Sequence, residues 1–442
     1  HLTMEGCRKT LKFAIRNCHQ TSTPKLSDSP FPCGASMAKH GAGINSLICQ
    51  LPEEVVEEIL LRLPADSLKN CKRVCKWWFG LINDPSFVNR HFLRLTSEGD
   101  SAKLSRTIFL KWIRQELSLT DIFNPNYNHY WHADDPSKLV LSLLTISEED
   151  DGKGDHVPCV VEQINLPPFP VVEQRAFPAN FKALHCNGVI HMYDREIDWI
   201  AVLLNPALRE FKLLQEPCLP LSSSFDKFIG CGFGYDPKAN VHKYVKIFGS
   251  WSFEDPAAIV HTLGTNSWRE IKIDVEENHC FLDPRGVYCN GAYYWRNISK
   301  VGNMILSFDM SEEKFHSISY PDHRLQKINL TVLDAWNESI VLFFFPKRSW
   351  FSSSFEMWVM VDSFGGVEGS TYWIKHLEIG PLRRVDYPLA FWKDDELLLE
   401  TNDGRIVSYN LCTQKLRKVH LPGAVYPGFT SATLCLKSLV TV

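Results

Sequence analysis

Three features are absent from this sequence of 442 residues: a paired-cysteine motif, a long apolar run and an excess of basic charge. None of the 14 cysteines forms a C-x-x-C pair, which argues against a zinc ribbon or RING-type site and favours reduced thiols. No apolar run is longer than that at residues 340–345, which is far shorter than the roughly 20 residues of a membrane helix. The net charge of −4 gives no basic field for nucleic acid or anionic lipid. These absences predict a cytoplasmic protein.

Motifs for catalysis or cofactor binding are also missing. The stretch GCGFGY at 230–235 lacks the spacing of a phosphate-binding loop, and we expect its glycines to allow close strand approach or a bulge. Cys71 and Cys75 lie on an apolar helix face and are predicted to be core residues rather than metal ligands. The sequence therefore predicts no catalytic residue, metal or cofactor. Four carboxylates could serve a propeller-type hydrolase, although a solvated turn is the simpler interpretation: Asp394, Asp395, Glu396 and Glu400.

Residues 1–46 are rich in Ser, Thr, Pro and Gly and are predicted to be a disordered or non-native leader. The helical pattern that follows has apolar positions three and four residues apart. A first helix is predicted to end at Pro64, a second to cover residues 66–82, and a third to open with Asp84-Pro85 as cap and first residue. The sequence thus predicts a small three-helix unit within residues 47–95.

The second predicted helix is apolar on more than one face. Its main stripe ends in Trp78, Leu81 and Ile82, whereas Trp77 and Phe79 point away from that stripe. Three short helices are too few to bury so much apolar surface. The surplus predicts a docking site, and it leaves open whether a partner protein or the following domain covers Trp77 and Phe79.

From residue 105 to 442 the pattern changes to short strands separated by Gly, Pro, Asn and Asp. The predicted strands are GVIHMY, WIAVLL, KYVKIF, IVHTL, GAYYW, MILSF, SIVLFFF, EMWVMV, DELLLE and RIVSYN. Turns at 266, 309, 362 and 410 are 43, 53 and 48 residues apart, which is typical of propeller blades. We therefore predict a β-propeller of undetermined blade number.

The turns share a pattern in which Asn205, Asp309 and Asn410 each end a strand and precede the next apolar strand residue by six. A similar turn at Asp236 follows Asn205 by only 31 residues, so the register is imperfect. The Trp-containing segments TNSWREI and STYWIKHLEI are predicted to be inner or packing strands.

Residues 51–92, LPEEVVEEILLRLPADSLKNCKRVCKWWFGLINDPSFVNRHF, resemble an F-box. The resemblance implies docking onto a Skp-type adaptor, and through it onto the cullin and RING subunits of an SCF ubiquitin ligase. Ala65-Asp66 departs from the family pattern and could weaken this contact. The residues expected to bind the adaptor are Leu51, Pro52, Ile59, Leu60, Leu63, Pro64, Leu68, Val74, Cys75, Trp78, Leu81 and Ile82.

The rest of the chain resembles the kelch-like F-box-associated domain of plant F-box proteins, through LLNPALREFKLL, GCGFGYDPKANVHKYVKI and ILSFDMSEEKFHSI. The segment YPLAFWKDDELLLETNDGRIVSYN is similar to the S-locus F-box branch. That branch implies recognition of non-self S-RNase in pollen; a different plant protein as target, or a glycan-binding propeller, are the alternatives. Residues 124–135 and the acidic run 148–151 are candidate substrate-binding loops, although either could be an ordinary loop.

Overall fold

The structure is a computed structural model in which two compact units are described. One unit contains residues 51–96 together with Lys437–Thr441, and the other contains described residues from 107 to 436. The sequence had placed 437–441 with the β-rich domain. The described segments are 51–96, 107–114, 139–147, 152–165, 182–193, 201–214, 227–249, 256–265, 267–273, 281–283, 286–298, 303–321, 331–348, 352–362 and 371–442. The predicted leader and the loops at 124–135 and 148–151 lie outside them.

The first unit is helical. Pro52 and Pro64 precede its first two helices, where a missing N–H costs no hydrogen bond. Asp84 caps the last helix by accepting hydrogen bonds from the N–H groups of Ser86 (2.8 Å) and Phe87 (3.4 Å), as predicted. No helix in the described segments is long and apolar enough to cross a membrane. The helices are α1 (Glu53–Leu60), α2 (Ala65–Cys71), α3 (Lys76–Asn83) and α4 (Pro85–Thr96).

The prediction of one continuous helix over 66–82 was wrong, because residues 72–75 separate α2 from α3. Cys75 has extended backbone angles (φ −159°, ψ 166°), and its Sγ accepts a hydrogen bond from the N–H of Trp78 at 3.4 Å. A cysteine thus fills the capping position that Ser or Asp usually occupies. Apolar residues keep their three- and four-residue spacing across residues 72–75 because both α2 and α3 bury side chains. Periodicity alone could therefore not reveal the break between the two helices.

The second unit is built from antiparallel strands, and each of the ten predicted strand runs overlaps one of them, the first two residues of WIAVLL lying outside the described residues. In chain order the described strands are β1 (Thr107–Ile113), β2 (Leu139–Ile146), β3 (Cys159–Gln163), β4 (Lys182–Cys186), β5 (Val189–Tyr193), β6 (Ala201–Asn205), β7 (Glu210–Leu214), β8 (Lys227–Asp236), β9 (Val241–Gly249), β10 (Ala257–Thr262), β11 (Trp268–Lys272), β12 (Phe281–Leu282), β13 (Val287–Cys289), β14 (Ala292–Ile298), β15 (Met304–Asp309), β16 (Phe315–Ser319), β17 (Thr331–Trp336), β18 (Ser339–Arg348), β19 (Ser352–Asp362), β20 (Thr371–Arg383), β21 (Val385–Lys393), β22 (Glu396–Thr401), β23 (Ile406–Asn410), β24 (Leu416–Val419) and β25 (Ser431–Cys435).

These strands form a six-bladed β-propeller, which confirms the predicted fold class. Blade 1 has the order β25-β1-β2-β3, blades 2 and 3 are β4 to β7 and β8 to β11, blade 4 is β12 to β16, and blades 5 and 6 are β17 to β20 and β21 to β24. The late strand β25 pairs with the early strand β1, from Thr107 opposite Cys435 to Lys111 opposite Ser431. This pairing closes the ring, because the inner strands then contact one another around it.

The hydrophobic cores lie between neighbouring blades. Leu110 of β1 packs in one cluster with Trp392 of blade 6, while the adjacent Phe109 packs in another with Ile190 of blade 2. Alternate side chains therefore serve different interfaces. Both faces of a middle strand are buried, and this explains why those strands appear in the sequence as continuous apolar runs rather than as an alternation.

The repeated turn lies between the third and fourth strands of a blade. Side-chain oxygens of Asn205, Asp309 and Asn410 each accept hydrogen bonds from the N–H groups two and three residues later, at 2.7–3.1 Å. Asp236 makes the same turn between the first and second strands of blade 3. The turn at Asp236 follows Asn205 by only 31 residues because it lies at a different position within its blade, not because a blade is missing.

Of the prediction that TNSWREI and STYWIKHLEI are inner or packing strands, the inner position was wrong, whereas Trp268 contacts the rings of Tyr244 and His261 and Trp373 packs against a core cluster. The two segments contain β11 and β20, the last and outermost strands of blades 3 and 5. Because one edge of such a strand faces solvent, charged residues alternate with its aromatic and aliphatic ones. By contrast, GCGFGY lies in the inner strand β8, which has a bulge between Phe228 and Gly230, as predicted for these glycines.

Candidate protein-binding surface of the helical unit

Side chains from all four helices are buried. Leu60 of α1, Leu68 of α2, Ile82 of α3 and Phe87 of α4 are each 0% exposed. Trp78 is the large side chain of α3 that is buried with them, at 5% exposure. Part of the main apolar stripe predicted from the sequence, including Leu68, Trp78 and Ile82, therefore lies in the interior, whereas Leu81 of the same stripe is only partly buried.

The same helices carry a large share of the exposed apolar side chains. Of twelve such side chains in the described residues, five lie within residues 51–96, although the propeller is several times larger. We call these five the exposed apolar set: Val55 (42% exposed), Val74 (43%), Trp77 (39%), Phe79 (56%) and Leu93 (56%). Apolar surface concentrated in this way on a small unit marks an interaction site.

Helix α3 presents this surface on two sides. At 100° per residue, Trp77 and Phe79 are separated by about 200° around the helix axis, with the buried Trp78 between them. Leu81, one turn after Trp77, lies on the same side as Trp77 and is partly exposed. Val74 precedes Trp77 by three residues. Within α3, the side bearing Trp77 therefore also carries Leu81, whereas Val74 lies before the helix begins.

The twelve residues predicted to bind an adaptor fall into three groups by exposure. The exposed members are Pro52, Pro64, Val74 and Cys75; the partly buried members are Leu51, Ile59, Leu63 and Leu81; the buried members are Leu60, Leu68, Trp78 and Ile82. Sequence reasoning did not include Trp77 and Phe79 in the set because their partner was undecided. The sequence signal for including them was that both are apolar residues outside the main apolar stripe of the helix.

Ion pairs connect α1 to α4. Arg90 contacts Glu57 at 2.5 Å and Glu58 at 3.2 Å, and Arg94 contacts Glu58 at 3.5 Å. These side chains are largely solvated, so each pair contributes at most about 1 kcal/mol. These pairs connect the first and last helices of the unit.

The segment Lys437–Thr441 belongs to the same unit. Nζ of Lys437 lies 3.0 Å from Oδ2 of Asp66 in α2, and Leu439 is 1% exposed. Asp66 is one of the two residues that departed from the family pattern. Its charge is thus paired with Lys437 within the chain.

The cysteines of this unit have separate roles. Cys71 is buried, as predicted, and burial raises the pKa of its thiol to about 11. Cys75 was expected in the core but is exposed as the cap of α3. No group of three or more His, Cys, Asp or Glu side chains among the described residues could hold a metal ion.

Of the carboxylates considered for a hydrolase, Asp395 and Glu396 both accept hydrogen bonds from Nδ2 of Asn410, at 2.8 and 3.2 Å, whereas Glu400 lies apart from them. Asp395 accepts a hydrogen bond from Asn410 at 2.8 Å in the turn before β22, and the buried Glu396 pairs with Arg417 at 2.8 Å. Glu400 lies four residues further along β22, about 13 Å away at the rise of an extended strand. Such a separation exceeds the roughly 6.5–9.5 Å of an inverting glycosidase pair.

The described residues thus form a six-bladed propeller and a helical unit that carries exposed apolar side chains. The family model of the F-box associated beta propeller domain matches residues 169–426, and that of an F-box-like domain matches residues 48–94. The chain belongs to the F-box proteins with an F-box associated beta propeller domain.

Proteins of Arabidopsis thaliana are similar to this chain. F-box protein At3g08750 is 23% identical over 62% of this chain, and the match spans only 60% of that protein's length. An F-box/kelch-repeat protein, At1g12170, is 24% identical over 89% of this chain and 98% of its own length. Among solved structures, TolB from Acinetobacter baumannii covers 74% of this chain and 66% of its own at a TM-score of 0.38 and 10% identity. That similarity is too low to bear on function.

Proposed function

We propose that this protein is a non-catalytic substrate receptor of an SCF-type ubiquitin ligase in the cytoplasm. The helical unit binds a Skp-type adaptor, which connects it to cullin and RING subunits, and the propeller binds the protein to be ubiquitinated. The observation that carries this proposal is the exposed apolar set on a unit that matches the F-box-like family. A free receptor exposes such a surface because its partner normally covers it.

The adaptor contact is proposed to involve eight of the twelve predicted residues directly, with Trp77 added. The four buried members act indirectly by positioning α1, α2 and α3. The directly contacting residues are Leu51, Pro52, Ile59, Leu63, Pro64, Val74, Cys75 and Leu81. In this proposal the contact lies on the side of α3 that carries Trp77 and Leu81, and Phe79 lies outside it.

Co-elution of the full chain with a recombinant Skp-type adaptor tests this proposal. The wild type is expected to form a complex that Val74→Asp with Trp77→Asp abolishes, because binding would desolvate unpaired carboxylates. Both positions are exposed, so the variant should remain folded. A matched control is Phe211→Asp with Leu213→Asp, which changes two similarly exposed residues of β7. Failure of the wild type to bind, or equal loss in the control, would refute the proposal.

The finer proposal is that the target is a non-self S-RNase in pollen. Its support is the resemblance of residues 387–410 to the S-locus F-box branch. Those residues form the first three strands of blade 6. Immobilised full chain should capture S-RNase from style extract, and the transcript should be confined to pollen. Capture of a different plant protein, with vegetative expression, would replace this target while keeping the ligase role.

A further inference from the structure

The outermost strand of blade 2, β7, exposes two large apolar side chains. It pairs with β6 along one edge, and no strand in the described segments pairs with its other edge. Phe211 is 45% exposed and Leu213 is 44% exposed. Lys212 between them is exposed as well, so both faces of the strand are open to solvent. An exposed apolar edge of this kind is a template for a further strand.

Two other outer strands carry features that oppose strand addition. The edge of β24 is already occupied: the N–H of Val157 donates to the carbonyl of Lys418 at 2.9 Å, and the N–H of Lys418 donates to the carbonyl of Asp155 at 2.9 Å. Strand β20 contains Pro381 and two shifts of register against β19. Strand β7 has no proline, and its register with β6 is continuous. Its edge therefore remains available for pairing.

The turn before β7 determines which of its backbone groups point outward. Blade 4 has the same turn, in which a residue with a φ of 56° precedes Lys314, as one with a φ of 55° precedes Glu210 in blade 2. There the N–H of Asp309 donates to the carbonyl of Lys314 at 3.0 Å. Glu210 is the corresponding residue of blade 2, so its backbone groups bond to β6. Because bonded and non-bonded residues alternate along an antiparallel strand, the N–H and C=O groups of Phe211 and Leu213 point to the open edge.

An exposed apolar side chain of blade 1 lies near this strand. Arg209, which directly precedes β7, pairs with Glu162 of β3 at 2.8 Å, so the outer strands of blades 1 and 2 are adjacent. Val160 lies on the same face of β3 as Glu162 and is 71% exposed. Apolar surface concentrated at two adjacent outer strands marks an interaction site.

The charged residues of β7 restrict which strand can pair with it. Burial lowers the pKa of His261 in blade 3, and the charge of Lys212 lowers it further, so Lys212 lies on the face of β7 toward that blade. Glu210, two residues earlier, lies on the same face. A suitable partner presents a carboxylate opposite Lys212 and a basic side chain opposite Glu210, because opposite charges facing each other across a sheet stabilise it and like charges destabilise it. Strand β7 itself meets both requirements.

We propose that two copies of this protein associate by antiparallel pairing of their β7 strands, about a two-fold axis through Phe211. Phe211 then lies opposite Phe211 of the second copy, and their N–H and C=O groups exchange two hydrogen bonds. Glu210 of each copy lies opposite Lys212 of the other, so the symmetric interface contains two ion pairs. An axis at Lys212 would instead place the two lysines opposite each other. The charges of β7 thus favour the register centred on Phe211.

The strand pair alone is a small interface, so the dimer is expected to be weak. Interfaces below about 1,200 Å² are typical of transient complexes, and the dissociation constant should lie in the micromolar range. Sedimentation velocity of the full chain, from about 1 to about 100 µM, measures this association. The wild type should shift from monomer to dimer over that range.

Charge reversal at the two facing positions tests the register. Glu210→Lys should weaken the dimer by about tenfold or more, because both ion pairs become repulsions. Lys212→Glu should weaken it equally for the same reason. A mixture of these two variants should associate about as tightly as the wild type, because opposite charges then face each other at both positions. The double variant should recover the dimer as well, which separates a lost contact from a lost fold.

Glu270→Lys is the matched control, because it reverses an exposed charge of β11, the outer strand of blade 3, and it should leave the dimer unchanged. The proposal is overturned if the wild type stays monomeric over the whole range. It is also overturned if neither the mixture nor the double variant restores association, or if Glu270→Lys weakens the dimer equally. A dimer that neither charge reversal weakens would assign the contact to another surface, such as the exposed apolar set, and would likewise overturn it.

Discussion

The close approach of blades 3 and 4 predicts that Gly232→Ala destabilises the propeller. A Cβ atom at position 232 would lie 2.6 Å from Cζ2 of Trp295 and 2.8 Å from Cγ of Tyr293. Both rings are nearly fully buried, so neither can move away freely. Nε1 of Trp295 also donates a hydrogen bond to the carbonyl of Cys231 at 2.7 Å, and a shift of the ring would weaken it.

The magnitude follows from these contacts. Overpacking a rigid core costs about 1–3 kcal/mol, and a weakened hydrogen bond adds about 1 kcal/mol. Alanine restricts the unfolded chain more than glycine and recovers about 0.7 kcal/mol. The expected net loss is about 2–3 kcal/mol. For a unit of about 330 residues, this corresponds to a melting temperature lower by about 4 °C.

Differential scanning calorimetry of the full chain measures the change in the propeller transition. Gly154→Ala is the matched control, because the nearest atoms to its Cβ are backbone atoms of His156 at 3.6 and 3.9 Å, which is ordinary contact. An unchanged or higher melting temperature for Gly232→Ala would refute the assignment of this glycine to a close contact between blades.

Two further changes test the buried turn and the buried acid. Asn205→Ala should lower the free energy of unfolding by about 2–4 kcal/mol, because it leaves two buried N–H groups without an acceptor. Asp309→Ala, in a more exposed turn, should lower it by about 1 kcal/mol. Equal losses for the two variants in urea unfolding would contradict this expectation. Glu400 has a folded-state pKa raised to about 7, so its ionisation destabilises the fold as pH rises from about 4.5 to 7, by up to about 3 kcal/mol. Glu400→Gln should therefore gain stability relative to wild type in urea unfolding at pH 8 compared with pH 5, and a constant difference would rule out the raised pKa.

Much of the propeller could be predicted because its signals are local. The turn residues Asn205, Asp309 and Asn410 form hydrogen bonds within three residues of themselves, so each leaves a signature in the sequence wherever it occurs. Apolar runs likewise identify strands buried on both faces. The position of each strand within its blade was harder to predict from the sequence. The inner position expected for TNSWREI was wrong because an outer strand can carry a tryptophan as readily as an inner one.

Long-range features could not be predicted at all. Nothing local in residues 431–435 indicates that they pair with 107–111, or that Lys437 meets Asp66. In the helical unit, periodicity located the apolar side chains but not the break before Cys75, since the two helices on either side bury residues at compatible spacings. Which of the twelve residues predicted to bind an adaptor are exposed depends on how the helices pack. This could be determined only from the structure.

The exposed side of α3 offers the most direct test of the adaptor proposal. Trp77 is 39% exposed, or about 100 Å² of a tryptophan side chain, and its burial in an interface would contribute up to about 2.5 kcal/mol. The dissociation constant for a Skp-type adaptor should therefore rise by up to about 70-fold in Trp77→Ala. In Phe79→Ala, on the other side of the helix, it should change by less than about threefold. No binding by the wild type, or a larger effect at Phe79 than at Trp77, would contradict the account.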